Sequence, residues 1–166
     1  LCRAVVRALA EGMRFNLTLV GDGRERAELE AFAARHDCIR VLPPVPHQQI
    51  PELLCRAHIG VLPFPDEVKF QVSSPIKLFE YMAAGMPILA TRIACHTDVI
   101  GNDDIVFWAD RADEDGLVTA LRRAWAARDT LEIMGARAHA AAENWTWQAS
   151  AQKLKQAIQY GQAQRS

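Results

Sequence analysis

Short apolar runs alternate with amphipathic stretches along most of the chain. The opening stretch LCRAVVRALAEG carries apolar residues at helical spacing, and the run FNLTLV after it is β-branched and apolar and ends in glycines. The same alternation recurs, and it predicts strands at residues 15–20, 38–43, 58–64, 86–92 and 105–110. Helices are predicted at residues 1–12, 24–36, 47–57, 74–85, 113–129, 130–145 and 146–161.

Strands that are apolar throughout and alternate with helices are typical of a parallel sheet covered by helices on both faces. The pattern therefore predicts an α/β fold with a doubly wound, mostly parallel sheet and a helical C-terminal tail. Ligands in such folds bind beyond the carboxyl ends of the strands. Four loops are candidates for a site: residues 21–24, 43–47, 63–74 and 91–97.

Composition narrows the class of protein. The chain has 166 residues, half of them hydrophobic, and 19 basic side chains balance 20 acidic ones, so a single globular domain over residues 1–166 is predicted, with no nucleic-acid partner. No apolar run approaches the ~20 residues that span a bilayer. The four cysteines are scattered without a CxxC pair, which indicates a reducing, cytoplasmic compartment and no structural metal.

The first candidate loop, VGDGRER, resembles the start of a dinucleotide-binding fingerprint. Gly21 and Gly23 follow a strand and open a helix, but Arg26 stands where the third glycine belongs. A nicotinamide cofactor is therefore not expected, and no other cofactor is indicated. Gly21 serves either as a strand-to-helix turn or as a direct ligand contact, and the turn is the simpler interpretation.

The loop before the predicted helix at residue 74 indicates an anion site. Ser74 suits the N-cap, Pro75 the first helical position, and Lys77 then falls third, where its charge opposes the helix dipole. A bound phosphate would remove that conflict, because backbone N–H groups, the dipole and the ammonium would converge on it, with Ser73 and Ser74 as further donors. The alternative is a solvated lysine that pairs with Glu80.

Glu80 follows Lys77 by three residues and so shares its helical face, while Ile76, Phe79 and Ala83 are predicted to pack on the sheet. Its carboxylate points towards the N-terminal end of the helix. A carboxylate one turn inside a phosphate site is well placed to accept hydrogen bonds from ribose hydroxyls. The alternative role is a surface ion pair worth at most about 1 kcal/mol.

Other candidates have simpler structural roles. The acidic triplet at residues 113–115 could bind a metal, but acids that begin a helix more often cap it. His96 could be an acid, a base or a sugar contact, although a lone loop histidine is more often only a polar residue. Trp145 and Trp147 are predicted to anchor the last helix through buried area.

The order of these pieces resembles the C-terminal half of the nucleotide-sugar glycosyltransferases of family 4, also called group 1. The stretches that carry the resemblance are LTLVGDGRERAELE, IPELLCRAHIGVLPF, SSPIKLFEYMAAGMPILAT and MGARAHAAAENWTWQASAQKL. The resemblance covers essentially the whole chain. It implies a two-lobed GT-B enzyme in which this chain forms the Rossmann-like, donor-binding lobe.

The resemblance also implies roles for particular residues. Two glutamates separated by seven residues lie over the donor in that family; Glu80 matches the second, which binds the ribose, and Val72 replaces the first. The base would be held near residues 43–45, largely by backbone. The implied donor-binding set is Gly21, Val45, Ser73, Ser74, Ile76 and Glu80, with Lys77 as the catalytic cation.

The resemblance further implies that a leading strand and an N-terminal acceptor lobe belong to the same protein and are missing here. The full protein would be a retaining, hexosyltransferase-like enzyme that needs no metal. It would be located in the cytoplasm or at the inner membrane surface. The chain alone would be inactive. Its donor would be a nucleoside diphosphate sugar. The sugar, the base and the acceptor stay open.

Two other functions are compatible with the sequence. A sugar epimerase or a phosphorylase of the same two-lobed architecture would need a similar donor lobe. A degenerate nucleotide-binding or scaffold module is indicated by Val72, where the family has a glutamate. A donor lobe of an enzyme is expected to bind nucleotides, whereas the degenerate or scaffold module is expected to have no affinity for them.

Overall fold

The computed structural model describes residues 1–101 and 103–163. Its strands are β1 (Leu17–Val20), β2 (Ile39–Leu42), β3 (Gly60–Leu62), β4 (Ile88–Thr91) and β5 (Val106–Ala109). Its helices are α1 (Cys2–Ala10), α2 (Arg26–Ala33), α3 (Ile50–Cys55), α4 (Val68–Gln71), α5 (Ile76–Ala83), α6 (Ala94–Ile100), α7 (Glu114–Ala126), α8 (Leu131–Ala142) and α9 (Trp147–Ala163). In these two ranges no helix is both long and apolar enough to cross a membrane.

All strand pairs are parallel, as the alternating pattern predicts. β1 pairs with β2, starting with Leu17 opposite Ile39. β4 lies between β3 and β5, so that Ile88 is opposite both Gly60 and Val106. The strands therefore form a two-stranded and a three-stranded hydrogen-bonded group, and the α/β fold class with parallel strands is confirmed.

Helices cover both faces of the three-stranded group. Leu89 and Phe107 pack into a first core together with buried residues of α1 and α7. Ile88, Ala90 and Trp108, which point to the other face, pack into a second core with residues of α5 and α8. This alternation of neighbouring strand residues between two cores is what a doubly wound sheet requires.

Two helices occur where the sequence pattern predicts loops. α4 has only four residues, and α6 has seven, which is too short for a helical period to stand out. Tertiary packing supports α6, because Cys95, His96 and Ile100 are all buried. The predicted burial of Trp147 is wrong: the side chain is 87% exposed, since α9 extends away from both cores.

A close approach of two backbones joins α8 to the end of α5. Gly85 follows α5 with a positive φ of 70°, a conformation that favours glycine. Gly135, inside α8, lies against the carbonyl oxygen of Gly85, so that a Cβ at position 135 would overlap this oxygen. The absence of a side chain at Gly135 therefore permits the packing of these helices.

We expect Gly135→Ala to lower the free energy of unfolding by about 1–3 kcal/mol, because the new methyl group forces α8 away from α5. Urea denaturation measures the change. Gly161→Ala is the matched control: it lies in α9 with open space around it, and there alanine should stabilise the helix by up to about 1 kcal/mol. Equal effects of the two substitutions would contradict the close approach.

Two polar side chains, Thr91 and His96, are buried among the core residues. Thr91 Oγ1 donates a hydrogen bond to the carbonyl oxygen of Phe64 at 2.7 Å, and His96 Nδ1 lies 2.8 Å from the carbonyl oxygen of Thr91. A carbonyl only accepts, so Nδ1 carries the proton. Burial lowers the pKa of His96, which keeps the imidazole neutral in the fold.

This histidine should make stability depend on pH. Its folded-state pKa lies below the reference value of 6.5, so below that pH the unfolded chain binds more protons than the folded one. Its contribution is therefore fully present above about pH 6.5 and is lost on acidification, at no more than about 1.4 kcal/mol per pH unit. Unfolding of wild type and His96→Asn between about pH 7.5 and about pH 5.5 measures this; identical slopes would refute it.

Candidate functional site

The start of α5 differs from the prediction by one residue. The N–H of Leu78 donates to the carbonyl of Pro75 at 2.9 Å, so Pro75 rather than Ser74 is the N-cap. Lys77 is consequently the second helical residue, not the third. No side chain caps this end. The predicted Ser74 cap is wrong, but the first N–H groups of the helix are left without a side-chain acceptor, which preserves the conditions for an anion site.

Glu80 lies between two basic side chains. Its Oε2 is 2.8 Å from Lys77 Nζ, which is the ion pair that the simpler interpretation of Lys77 predicts. Its Oε1 is 4.0 Å from His47 Nε2. The Glu80 side chain is only 22% exposed, whereas that of Lys77 is 56% exposed. The carboxylate is thus the more sheltered partner of the pair.

His47 is a site residue that the sequence analysis missed. It begins a short 3-10 helix, His47–Gln49, directly after the loop at residues 43–46 that leaves the carboxyl end of β2. The contact with Glu80 brings this loop, where Val45 was expected to help hold a base, to the side of α5. Its position after a strand in the candidate loop 43–47 was the signal that could have identified it.

The buried face of α5 is not the predicted one. Leu78 and Met82, one turn apart, are fully buried against the second core. Ile76 is 66% exposed and Ala83 is also exposed, so their predicted packing on the sheet is wrong. Phe79 is half-buried and lies against Trp145, with ring centroids 5.5 Å apart. Ile76 therefore stays accessible at the start of the helix, beside the loop before it.

The loop before α5 is tied to α4 and lies beside α6. The Ser73 hydroxyl donates to the carbonyl of Phe70 at 2.8 Å, and it lies close enough to the Cys95 thiol for hydrogen bonding to lower the pKa of that thiol. Ser74 is exposed, and Val72 is 80% exposed. Burial raises the pKa of the Cys95 thiol more than the bond with Ser73 lowers it, so the sulfur is a neutral partner in this cluster.

The β1–α2 loop forms a separate concavity of about 390 Å³. Gly21 has a φ of 145°, and Arg26 Nη1 donates to its carbonyl oxygen at 3.1 Å. Asp22 Oδ1 accepts from the N–H of Gly23 at 2.8 Å. These bonds all stay within the turn, so they account for Gly21 as a turn residue, and its contact with a ligand stays a prediction.

The acidic triplet has the capping role that was favoured over metal binding. Asp113 Oδ1 accepts from the N–H of Gly116 at 2.8 Å and caps α7. Glu114 and Asp115 face arginines of α1; the Arg7 guanidinium, 2.6 Å from Asp115 Oδ1, lowers the pKa of that carboxyl. Over residues 1–101 and 103–163 no three His, Cys, Asp or Glu side chains cluster as metal ligands would.

Solved structures share this fold at low sequence identity. The chain aligns with the catalytic domain of cholesterol-α-glucosyltransferase from Helicobacter pylori with a TM-score of 0.66 and 14% identity, over 87% of each chain. It aligns with the pneumococcal O-GlcNAc transferase GtfA, solved with UDP and GlcNAc, with a TM-score of 0.69 and 17% identity, over 95% of this chain and 32% of that one.

A third structure is WaaG, a glycosyltransferase of lipopolysaccharide biosynthesis, with a TM-score of 0.62 and 20% identity. That alignment covers 86% of this chain but only 37% of WaaG. The chain therefore spans about a third of the length of GtfA and WaaG. No curated protein sequence matches it significantly.

The sequence also matches a family model. The model of the group 1 glycosyl transferases matches residues 1–127, which contain all five strands and every residue around Glu80 described above. The structural neighbours, which are glycosyltransferases themselves, agree with this match in fold. The chain belongs to the group 1 glycosyltransferase family and is a lobe of the GT-B type.

Proposed function

We propose that this chain is the donor-binding part of a retaining glycosyltransferase that transfers a sugar from a nucleoside diphosphate sugar to an acceptor. The observation that carries the proposal is the set of groups that meet at the start of α5. There an uncapped helix end, an exposed ammonium and a sheltered carboxylate lie together, and the loop after β2 reaches the carboxylate through His47.

The diphosphate would bind at the first turn of α5. Backbone N–H groups and the helix dipole favour an anion there, and Lys77 adds a full positive charge. The existing ion pair between Lys77 and Glu80 does not prevent this. Because the Lys77 side chain is more than half exposed, that pair is worth at most about 1 kcal/mol, and the ammonium can turn from the carboxylate to a phosphate at little cost.

Glu80 would hold the ribose. Its carboxylate accepts hydrogen bonds but donates none, and ribose hydroxyls are donors that can take the place of the ammonium. The limited exposure of Glu80 fixes its orientation, which in turn fixes the nucleotide. His47 lies on the opposite side of the carboxylate, so the base would extend towards the backbone of residues 43–45.

The catalytic contribution of this lobe would be electrostatic. When the bond to the sugar breaks, negative charge develops on the leaving diphosphate, and Lys77 with the N–H groups of α5 would stabilise it. Because Glu80 would hold the ribose, the diphosphate would stay close to these groups. The acceptor-binding lobe and the acid–base chemistry would come from the rest of the protein, so the chain alone would have no transferase activity. The full protein would act in the cytoplasm or at the inner membrane surface.

A second candidate is a nucleotide-binding or scaffold module without activity. The exposed Val72, at the position where the family's first glutamate would stand, is the observation that favours it. A donor lobe of an epimerase or a phosphorylase would use the same groups. Release of free nucleoside diphosphate by the full-length protein only when an acceptor is present would separate a transferase from both.

We expect Glu80→Ala to weaken the binding of nucleosides and nucleoside diphosphates alike by about 10-fold or more, because the lost bonds are to a charged acceptor. Calorimetric titration of UDP, GDP, ADP and their nucleosides measures this. Glu52→Ala is the matched control, since Glu52 forms an ion pair with Arg56 on α3 in the same way but is 69% exposed. Unchanged affinity in Glu80→Ala would contradict the assignment.

Lys77→Ala should weaken diphosphates more than nucleosides, by about 5-fold or more, because only the diphosphate meets the ammonium. The difference should shrink as salt is raised, since the site is open to solvent. Lys155→Ala, which removes an exposed cation from α9, is the control. Equal losses for diphosphate and nucleoside in Lys77→Ala would show that the cation does not face the phosphates.

A further inference from the structure

One buried polar atom has no partner. Among the side chains that the structure describes, His96 Nε2 is the buried nitrogen or oxygen atom for which no hydrogen bond is formed. The ring is wholly buried, and its Nδ1 is engaged by the carbonyl of Thr91. Because Nδ1 carries the proton, Nε2 presents a lone pair and needs a donor. A buried acceptor without a donor is costly, so native structures retain few of them without a reason.

His96 lies directly beneath the segment that connects β3 to α5. The Phe64 ring lies against the imidazole, with centroids 5.2 Å apart, and Phe70 packs on Phe64 at 4.9 Å. The neighbouring Cys95 lies close to Ser73. We call residues 64–73 the cover. Only Ser74 and Pro75 lie between its end and the first residue of α5, so the cover connects the surroundings of His96 to the start of that helix.

We propose that His96 is a donor-binding residue whose Nε2 accepts a hydrogen bond from a hydroxyl of the transferred sugar. This inference rests on the function proposed for the site at the start of α5. The other parts of a nucleoside diphosphate sugar are unsuitable as partners. Phosphate oxygens at neutral pH are acceptors, the ribose is assigned to Glu80, and the base extends towards the loop after β2. Sugar hydroxyls are the donors that remain.

The cover must open for the sugar to reach His96, and its composition allows this. α4 has only four residues, too few to be stable without packing, and Val68 is 74% exposed. Residues 66–69 are all exposed. The contacts that hold the cover to the fold centre on Phe64, whose ring lies against His96 and the second core and whose carbonyl accepts the hydrogen bond from Thr91 Oγ1. A segment with so few buried contacts opens at low cost.

Two substitutions at position 96 test the roles of the two ring nitrogens separately. His96→Asn keeps an N–H group near Nδ1, which can still donate to Thr91, but it removes the acceptor at Nε2. His96→Gln places an amide oxygen near Nε2 and loses the bond to Thr91. Calorimetry with UDP-glucose, UDP-N-acetylglucosamine, GDP-mannose and ADP-glucose, each compared with its diphosphate, gives the ratio of the two affinities. We call the tighter binding of the sugar nucleotide the sugar increment. Urea denaturation of each variant verifies that it is folded.

In wild type we expect at least one sugar nucleotide to bind more tightly than its diphosphate. His96→Asn should reduce this ratio by about 2- to 12-fold without changing affinity for the diphosphate, as loss of one hydrogen bond predicts, and His96→Gln should reduce it less. An unchanged ratio, the absence of any sugar increment in wild type, or an equal loss for diphosphate and sugar nucleotide would overturn the role of His96 alone. If wild type binds none of the probes, the donor site falls as well.

Opening of the cover has its own test. Ser73→Cys would place a second sulfur beside Cys95, and a disulfide between them would fasten the cover to α6. In a Cys55→Ser background, which removes the exposed thiol, the oxidised form verified by mass spectrometry should lose the sugar increment and regain it on reduction. The reduced form of the same variant is the control. A sugar increment that survives in the oxidised form would overturn the opening of the cover.

Discussion

The burial of β4 on both faces is the constraint on which the rest of the structure depends. β4 pairs with β3 on one side and β5 on the other, and its successive residues enter different cores. Since no face of this strand meets solvent, helices must cover both sides, and the chain can reach water only beyond the ends of the strand. The loops and short helices that follow the strands therefore meet at one edge, where a ligand can bind.

The chemistry at that edge comes from weak and adjustable interactions. α5 is fastened by Leu78 and Met82, which are fully buried, while its first turn has no side-chain cap. A rigid helix whose first backbone N–H groups have no side-chain acceptor is suited to binding an anion. The ion pair of Lys77 with Glu80 is exposed enough to exchange partners, whereas the carboxylate is sheltered enough to stay in place.

Much of the fold and part of the site could be predicted from the sequence. All five strands were predicted within a few residues, because apolar runs between glycines and polar turns have a strong pattern. Lys77 and Glu80 were placed together by helical spacing alone, and the structure has them 2.8 Å apart. The Ser74 cap was wrongly predicted because a local pattern does not fix a helix start to the residue. The burial of Ile76 was wrongly predicted because spacing groups residues on one face but does not say which face meets the core.

The sequence by itself determined the alternation of strands and helices, the parallel pairing and the proximity of Lys77 to Glu80, because periodicity and spacing are local properties of the chain. Only the tertiary structure decided that His47 meets Glu80 and that His96 is buried beneath residues 64–73. These contacts join segments that are far apart in sequence. Which loops meet depends on how strands stack and which helix faces are buried, and no local pattern records either.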